Sequence, residues 1–243
     1  MTQDLLERHH SLLVAERFGP TLQGEGPSAG QSALFVRLAR CNLACGSAPD
    51  AAFACDTPYT WDQRRYDLSA ESRRETLSEV VEWATGDAPG LVVITGGEPL
   101  LQQPALLALA QQLSAAGKRI EIETNATIAP VPELLAVAWL NASPKLANSG
   151  MAARRRVVGP VLQRLAGSGR VIFKFVACDR ADLAEIDALV RQYALAPVWV
   201  MPEGTTSEVV LGRARDLAEQ VLARGWNLSL RTHIVLWGDV RGR

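Results

Sequence analysis

Short runs of β-branched and aromatic residues alternate along the chain with longer stretches in which leucine, isoleucine and valine recur every three or four positions. The short runs predict strands at 12–17, 33–38, 91–94, 119–122, 137–142, 171–176, 198–201 and 227–231. The longer stretches predict helices at 74–85, 104–116, 180–194 and 206–224. Leu106, Leu109 and Leu113 share one face of the second, and Leu183, Ile186 and Val190 one face of the third. Gly117 and Gly225 stand where helices end on a residue free to adopt positive φ. Strands alternating with helices imply an α/β fold, a parallel sheet covered by helices. No repeat, low-complexity tract or linker divides the pattern, which predicts one domain over 1–243. The connections are short except for 40–73, and a long irregular stretch inside a compact domain usually has a function.

In parallel sheets the loops that follow the strands share one face, so polar residues at strand ends meet there. Several strand ends are polar in this chain. Thr95-Gly96-Gly97-Glu98-Pro99 follows 91–94, Glu123-Thr124-Asn125 follows 119–122, Ser143-Pro144-Lys145 follows 137–142, and Thr232-His233 follows 227–231. A Gly-Gly pair after an apolar strand lets a ligand approach the backbone, and Glu98 behind it can accept from an ammonium or hydroxyl. Read alone, TGGEP is equally a tight turn with a solvated carboxylate.

Composition adds exclusions. With 48% apolar and 21% charged residues and a formal net charge of -1, the chain has no global attraction for nucleic acid or an anionic membrane. The Arg154-Arg155-Arg156 run reads as a solvated face rather than an RNA site, and Trp61, Trp83 and Trp226 read as packing. No stretch has the length of a membrane span, and MTQDLLERHH lacks a basic start and apolar run, so a cytoplasmic location is expected.

Three of the four cysteines, Cys41, Cys45 and Cys55, fall within CNLACGSAPDAAFACDTPYTW, inside the long irregular stretch. In a reducing compartment such a cluster points to metal or catalysis before disulfides. Three thiolates on one folded-back loop suit an iron-sulfur cubane with one iron left open. Structural zinc and unligated thiols remain open on the cysteines alone.

The cysteine loop followed by TGGEP resembles the radical S-adenosylmethionine superfamily, whose cluster loop follows the first barrel strand and whose GGE motif follows the second. The runs TLQGEG (Thr21–Gly26), FVRL (Phe35–Leu38), CNLAC, CDTPY, TGGEPLLQ, EIETNAT, ASPK, KFV and THIVLWGD more closely resemble the 7-carboxy-7-deazaguanine synthase family, over nearly the whole chain. The resemblance implies an abbreviated, partial TIM-like radical S-adenosylmethionine barrel that pairs as a homodimer. It implies a 4Fe-4S cluster, S-adenosyl-L-methionine and Mg2+ as cofactors, with electrons from a donor such as flavodoxin or ferredoxin. The implied reaction abstracts hydrogen from C6 of 6-carboxy-5,6,7,8-tetrahydropterin and contracts the ring to 7-carboxy-7-deazaguanine with loss of ammonia, on the way to queuosine-type 7-deazapurines.

Carried onto this sequence, the resemblance makes Cys41, Cys45 and Cys55 the cluster ligands and Thr57 a Mg2+ ligand. It places Leu22, Gln23, Gly24, Glu25, Arg37, Thr95 and His233 against the substrate. Gln23 offers donor and acceptor to a pyrimidinone edge, Glu25 an acceptor to the guanidine-like nitrogens, and Arg37 a planar fork to the carboxylate. For Arg37 a structural salt bridge is the competing role, and for His233 a structural hydrogen bond. Ala54, Cys55, Asp56, Gly97, Glu98, Ser143, Pro144 and Lys145 fall at cofactor positions, while Cys178, a small buried thiol after a strand, is not a ligand.

One feature departs from the family. Its pattern is CxxxCxxC, whereas nine residues, Gly46 to Ala54, separate the second and third cysteines here. Closing the longer loop costs only about 1 kcal/mol of extra entropy, so all three ligands are retained. The competing functions are a radical enzyme with another substrate, such as a glycyl-radical activase, and a non-catalytic zinc scaffold.

Overall fold

Strands at the centre of the molecule are apolar on both faces: Leu91, Val92, Val93 and Ile94 are all buried, as the two-sided cover of a parallel sheet requires. They belong to a computed structural model that describes residues 10–86 and 88–243; the opening MTQDLLERH lies outside the described residues. The strands are β1 (Ser11–Leu22), β2 (Ser32–Leu38), β3 (Arg73–Thr76), β4 (Leu91–Gly96), β5 (Arg119–Thr124), β6 (Trp139–Ala142), β7 (Val171–Ala177), β8 (Val198–Pro202) and β9 (Asn227–Leu228). Among them run α1 (Leu77–Thr85), α2 (Gln103–Ala115), α3 (Pro132–Val137), α4 (Ala153–Arg156), α5 (Gly159–Ala166), α6 (Arg180–Tyr193), α7 (Ser207–Ala223) and α8 (Thr232–Trp237).

The strands form one sheet in the order β3-β1-β2-β4-β5-β6-β7-β8-β9. From β2 to β9 every pairing is parallel, and the row ends on β9 without closing, which is the expected abbreviated barrel. The expectation of a purely parallel sheet is corrected at one edge, because β1 pairs antiparallel with both β2 and β3.

Helices cover the outer face. Leu106, Leu109 and Leu113 of α2 are fully buried, as are Leu183 and Ile186 of α6, with Val190 partly buried beside them. Gly117 and Gly225 have φ of +78° and +67° at the expected helix ends. On the inner face the twofold repeat of a strand sets Phe35 beside Arg37, Val93 beside Thr95, Glu121 beside Glu123 and Asn141 beside Ser143. A small apolar cluster of Ala33, Phe35, Leu91 and Val93, packed with Phe18, thus gives way to polar groups towards the strand ends.

Four boundaries differ from the sequence pattern. The helix expected from 74 begins at Leu77, because 73–76 pairs with β1 as β3. Thr76 then caps α1 in a box with Glu79, a signal carried by the TLSE spacing. The strand expected from 137 starts at Trp139, since Pro132 opens α3 instead. β1 runs to Leu22 past two register shifts, and 227–231 keeps only two strand residues before α8. The short helices α3, α4 and α8 are too brief to show a hydrophobic period, and α5, which buries Val161, Leu162 and Leu165, spans only eight residues.

Candidate active site

The inner-face polar groups meet in a cavity of about 400 Å³ at the C-terminal ends of the parallel strands. Parallel register supplies the convergence: Arg37 pairs with Thr95 across β2 and β4, and Glu123 with Asn141 across β5 and β6. Leu22, Gln23, Gly24, Glu25, Arg37, Thr95 and His233 all line the cavity. So do Cys41, Cys45, Ala54, Cys55, Asp56, Thr57, Gly97, Ser143 and Lys145.

One wall is a charge network. Glu25 is ion-paired to Lys174 and, at 3.3 Å, to Arg231, while Lys174 also reaches Glu123 at 3.3 Å. Thr95 Oγ1 donates to the other Glu123 oxygen at 2.8 Å, and Arg231 spans to Asp56 at 2.8 Å. Burial pushes the Glu25 carboxyl up, but the Lys174 ammonium and the Arg231 guanidinium outweigh it and hold it well below the usual carboxylate range. Burial likewise opposes the Lys174 charge, and Glu123 with Glu25 overcomes it, so Lys174 is a fixed cation. His233 goes the other way: burial lowers its pKa, keeping the imidazole neutral near pH 7. A Cβ at Gly24 would stand 1.9 Å from His233 Nδ1, so only glycine lets the ring seat there.

Gln23 is 2% exposed; its Oε1 accepts from Glu25 N–H at 3.2 Å, while its Nε2 is buried with no partner. A buried donor left unpaired beside a cavity is costly and suits a ligand acceptor. The segment carrying it is pinned from below, where Gly26 N–H donates to Ser229 Oγ at 2.7 Å and Ser28 Oγ bonds the buried Glu121. Arg37 makes the structural ion pair that was the competing role for it. Its Nε donates to Glu16 at 2.6 Å, and the other guanidinium nitrogens have no hydrogen-bond partner among the described residues.

Cys41, Cys45 and Cys55 line the same cavity, Cys55 next to the Asp56 that ends the charge network. Leu43 N–H points at Cys41 Sγ and Trp61 Nε1–H at Cys55 Sγ, each at 3.4 Å. Burial pushes the Cys41 thiol up to about 12 and raises that of Cys45. Three thiolates here therefore need a cationic group to bind. Among the described residues no three His, Cys, Asp or Glu side chains converge tightly enough to hold one metal ion. Three thiols lining one cavity are a soft donor set of the kind that holds an iron-sulfur cluster with one iron left open. Gly97 closes against the loop, where a Cβ would meet Arg40 O at 2.1 Å and Cys41 Cβ at 2.9 Å.

Two residues expected at cofactor positions, Glu98 and Pro144, lie outside the cavity lining. Glu98 is fully buried and does not line the cavity, because its carboxylate accepts from Leu100 N–H, Thr124 Oγ1 and Asn125 N–H at 2.7–2.9 Å. It ties the Gly-Gly turn to the end of β5 instead of facing a ligand. Pro144 is buried and likewise outside the lining.

With this geometry in view, comparison with known proteins is decisive. No family model matches the chain. A 7-carboxy-7-deazaguanine synthase from Pyrobaculum aerophilum, however, is 35% identical over 227 residues, covering 92% of this chain and 94% of its own. The chain belongs to the 7-carboxy-7-deazaguanine synthase family. Synthases from Halobacterium salinarum and Rhodopirellula baltica are 33% and 32% identical, covering 90% and 96% of this chain and 88% and 89% of their own. The crystal structure of QueE from Escherichia coli matches with a TM-score of 0.69 at 26% identity, over 96% of this chain and 99% of that one. Streptococcus suis SuiB bound to S-adenosylmethionine shares the fold alone, at 13% identity and a TM-score of 0.52, over 78% of this chain and 47% of its own.

In this member of the synthase family the sequence pattern missed several cavity residues. Lys174 sits inside the β7 run, where the pattern shows only a strand, and its inward register is the signal that marks it. Arg231 precedes a helix too short to foresee, and Trp61, read as packing, touches Cys55. The end of the chain also arrives: Arg241 bonds Glu16 at 2.8 Å and stacks 3.8 Å over Tyr59 at the rim. The arginine run divides, with Arg154 and Arg155 exposed and Arg156 buried on Glu185 at 2.6 Å and on the carbonyls of Lys145 and Met151.

Proposed function

We propose that the protein converts 6-carboxy-5,6,7,8-tetrahydropterin to 7-carboxy-7-deazaguanine with loss of ammonia, as a cytoplasmic lyase of queuosine-type 7-deazapurine biosynthesis. The observation that carries this is one cavity lined both by three thiols and by an ordered network of charged and polar side chains. When bound, a 4Fe-4S cluster on Cys41, Cys45 and Cys55 together with S-adenosyl-L-methionine supplies hydrogen-atom abstraction. The chain's own residues bind, orient and enclose the substrate. Gln23 Nε2, the unpartnered donor, faces an acceptor of the pyrimidinone edge, and Glu25 accepts from the amino and ring N–H donors beside it. Glu123, steadied by Thr95 and Lys174, supplies a second acceptor. Arg37 keeps N–H groups free for the carboxylate, and neutral His233 offers a hydrogen bond without adding charge. Ser143, Lys145 and the Gly97 backbone border the cofactor side, with Ala54 and Asp56 beside them.

Thr57 Oγ1, 3.8 Å from Cys55 Sγ, is a hard oxygen beside that thiol and the site for Mg2+. Reductant from a flavodoxin- or ferredoxin-type donor, pairing as a homodimer and action as one folding unit belong to the same reading. No described helix is long and apolar enough to cross a membrane. Anaerobic incubation of the reconstituted protein with 6-carboxytetrahydropterin, reductant, S-adenosylmethionine and Mg2+ tests the assignment; an intact cluster without product defeats it. Across a Mg2+ titration, Thr57→Ala is expected to lose the metal response, and an unchanged response removes Thr57 from the metal site.

A further inference from the structure

The nine residues between Cys45 and Cys55 lie outside the family pattern, and their packing is specific. Gly46 has φ +75°, and a Cβ there would stand 2.7 Å from Ala54 Cα, the Cys55 nitrogen and the Phe53 oxygen. The two ends of the segment therefore touch backbone to backbone, beside both thiols, and only glycine permits it. Its outer part rests on the turn after Lys145. Gly46 N–H donates to Ser149 O at 3.0 Å, and Ala52 N–H to Asn148 O at 2.8 Å. Gly150, at φ +70°, completes this seat, since a Cβ there would stand 2.9 Å from the Cβ atoms of Ala48 and Ala51. The turn is itself held from below: Asn148 Nδ2 donates to Val176 O at 3.0 Å and Asp182 Oδ2 at 2.8 Å, and Ala147 N–H to Glu185 Oε2 at 2.9 Å.

On the enzyme reading above, we propose that residues 46–54 are a clasp that sets the spacing of the Cys45 and Cys55 thiols, with Gly46 as its pin and the 147–150 turn as its seat. Gly46 and Gly150 are positioning residues, since they act through the two cysteines and touch no reactant. The seat continues directly from Ser143 and Lys145, so the clasp also ties the thiol wall to the cofactor side of the cavity. The insertion thereby preserves a short gap in space that the sequence has lengthened.

The test compares Gly46→Ala and Gly150→Ala with Gly169→Ala. Gly169 shares a positive φ of +65° but has nothing within 4 Å of an added Cβ, so it reproduces backbone strain without the contact. After anaerobic reconstitution we expect at least about a twofold loss of iron and sulfide per chain in the first two relative to the third, because their contacts force a shift at the thiols. Thermal midpoints of the iron-free forms should match, and the reduced cluster that remains should give an altered electron paramagnetic resonance line shape, which a general loss of stability does not produce. Iron content and line shape equal to those of Gly169→Ala overturn the proposal. A second background, with residues 46–54 replaced by two glycines, separates sterics from strain. There Gly150→Ala should be neutral, as Ala48 and Ala51 are gone; an equal iron loss in both backgrounds overturns the clasp. Should the shortened chain hold no iron, the Gly46→Ala comparison decides alone. A parent chain that takes up no iron defeats the enzyme reading, a result distinct from failure of the clasp.

Discussion

Lys174 is the cation shared by two carboxylates of the cavity, Glu25 and Glu123, and one of the two cations that hold Glu25 ionised. Removing its charge takes from the buried Glu25 one of the two cations that hold its pKa down, so that pKa rises. Lys174→Met should lower kcat/KM by about a hundredfold, in line with the roughly 3 kcal/mol cost of breaking a buried pair. The sign in pH follows: the parent's Glu25, held low by Lys174 and Arg231, stays ionised as pH falls, whereas the variant should lose substrate use at a higher pH on its acid side. A pH profile of kcat/KM that keeps its acid limb in place would assign Lys174 a packing role. Arg37→Lys probes the neighbouring fork. Lys can still pair with Glu16 but cannot also present guanidinium N–H groups, so KM should rise about tenfold with little change in thermal midpoint. A lower midpoint with an unaltered KM would place Arg37 in the scaffold. At this scale the strand-end pattern marked Thr95 and the family resemblance marked Gln23 and Arg37, while the pattern hid a residue whose place depends on register, Lys174, and the inward turn of Glu98.

At the scale of elements, Gln102 shows how a motif residue can serve the sheet rather than the ligand. Its Oε1 accepts from Leu13 N–H at 2.7 Å, and its Nε2 donates to Leu13 O at 3.1 Å and Ala39 O at 3.2 Å. The turn after β4 is thereby stitched to β1 and to the residue that leads into the cysteine loop. Gln102→Ala should destabilise the fold by about 1–3 kcal/mol, the penalty for stranding partly buried polar groups, as measured by a denaturant midpoint at unchanged slope. A midpoint within about 0.5 kcal/mol of the parent would mean that water replaces the amide. Long elements were legible because burial repeats along them: α2 and α6 follow their leucine stripes, and β4 its apolar run. The helices of four to eight residues after β5 were not, because one or two turns bury at most three side chains and leave too short a period to read. Neither was the antiparallel direction of β1, which is set by its partners rather than by its own residues.

At the scale of the molecule, an open row of parallel strands leaves the cavity walled by loops, and the wall with the thiols is the one least favoured without a bound cation. Burial raises the Cys41 and Cys45 pKa values, so cluster loading must release protons and should improve as pH rises. Binding to the folded chain alone should also stabilise it, by about 4 kcal/mol at a thousandfold excess over Kd. For a chain of this length that is on the order of 10 °C in thermal midpoint. The gain should vanish in Cys41→Ala, Cys45→Ala and Cys55→Ala, each of which removes one of the three cavity thiols proposed as ligands. It should persist in Cys178→Ala. Cys178 does not line the cavity, and its N–H donates at 2.6 Å to Asp182, the same carboxylate that holds Asn148 under the cysteine loop. That backbone bond survives the substitution, so the support of the loop survives too. The measurement is a pair of melting curves, iron-free and reconstituted, for each variant. A Cys178→Ala protein that fails to gain stability while Cys55→Ala still does would move the third thiolate from the loop to the end of β7, and the long gap between Cys45 and Cys55 would then be the mark of a rebuilt site.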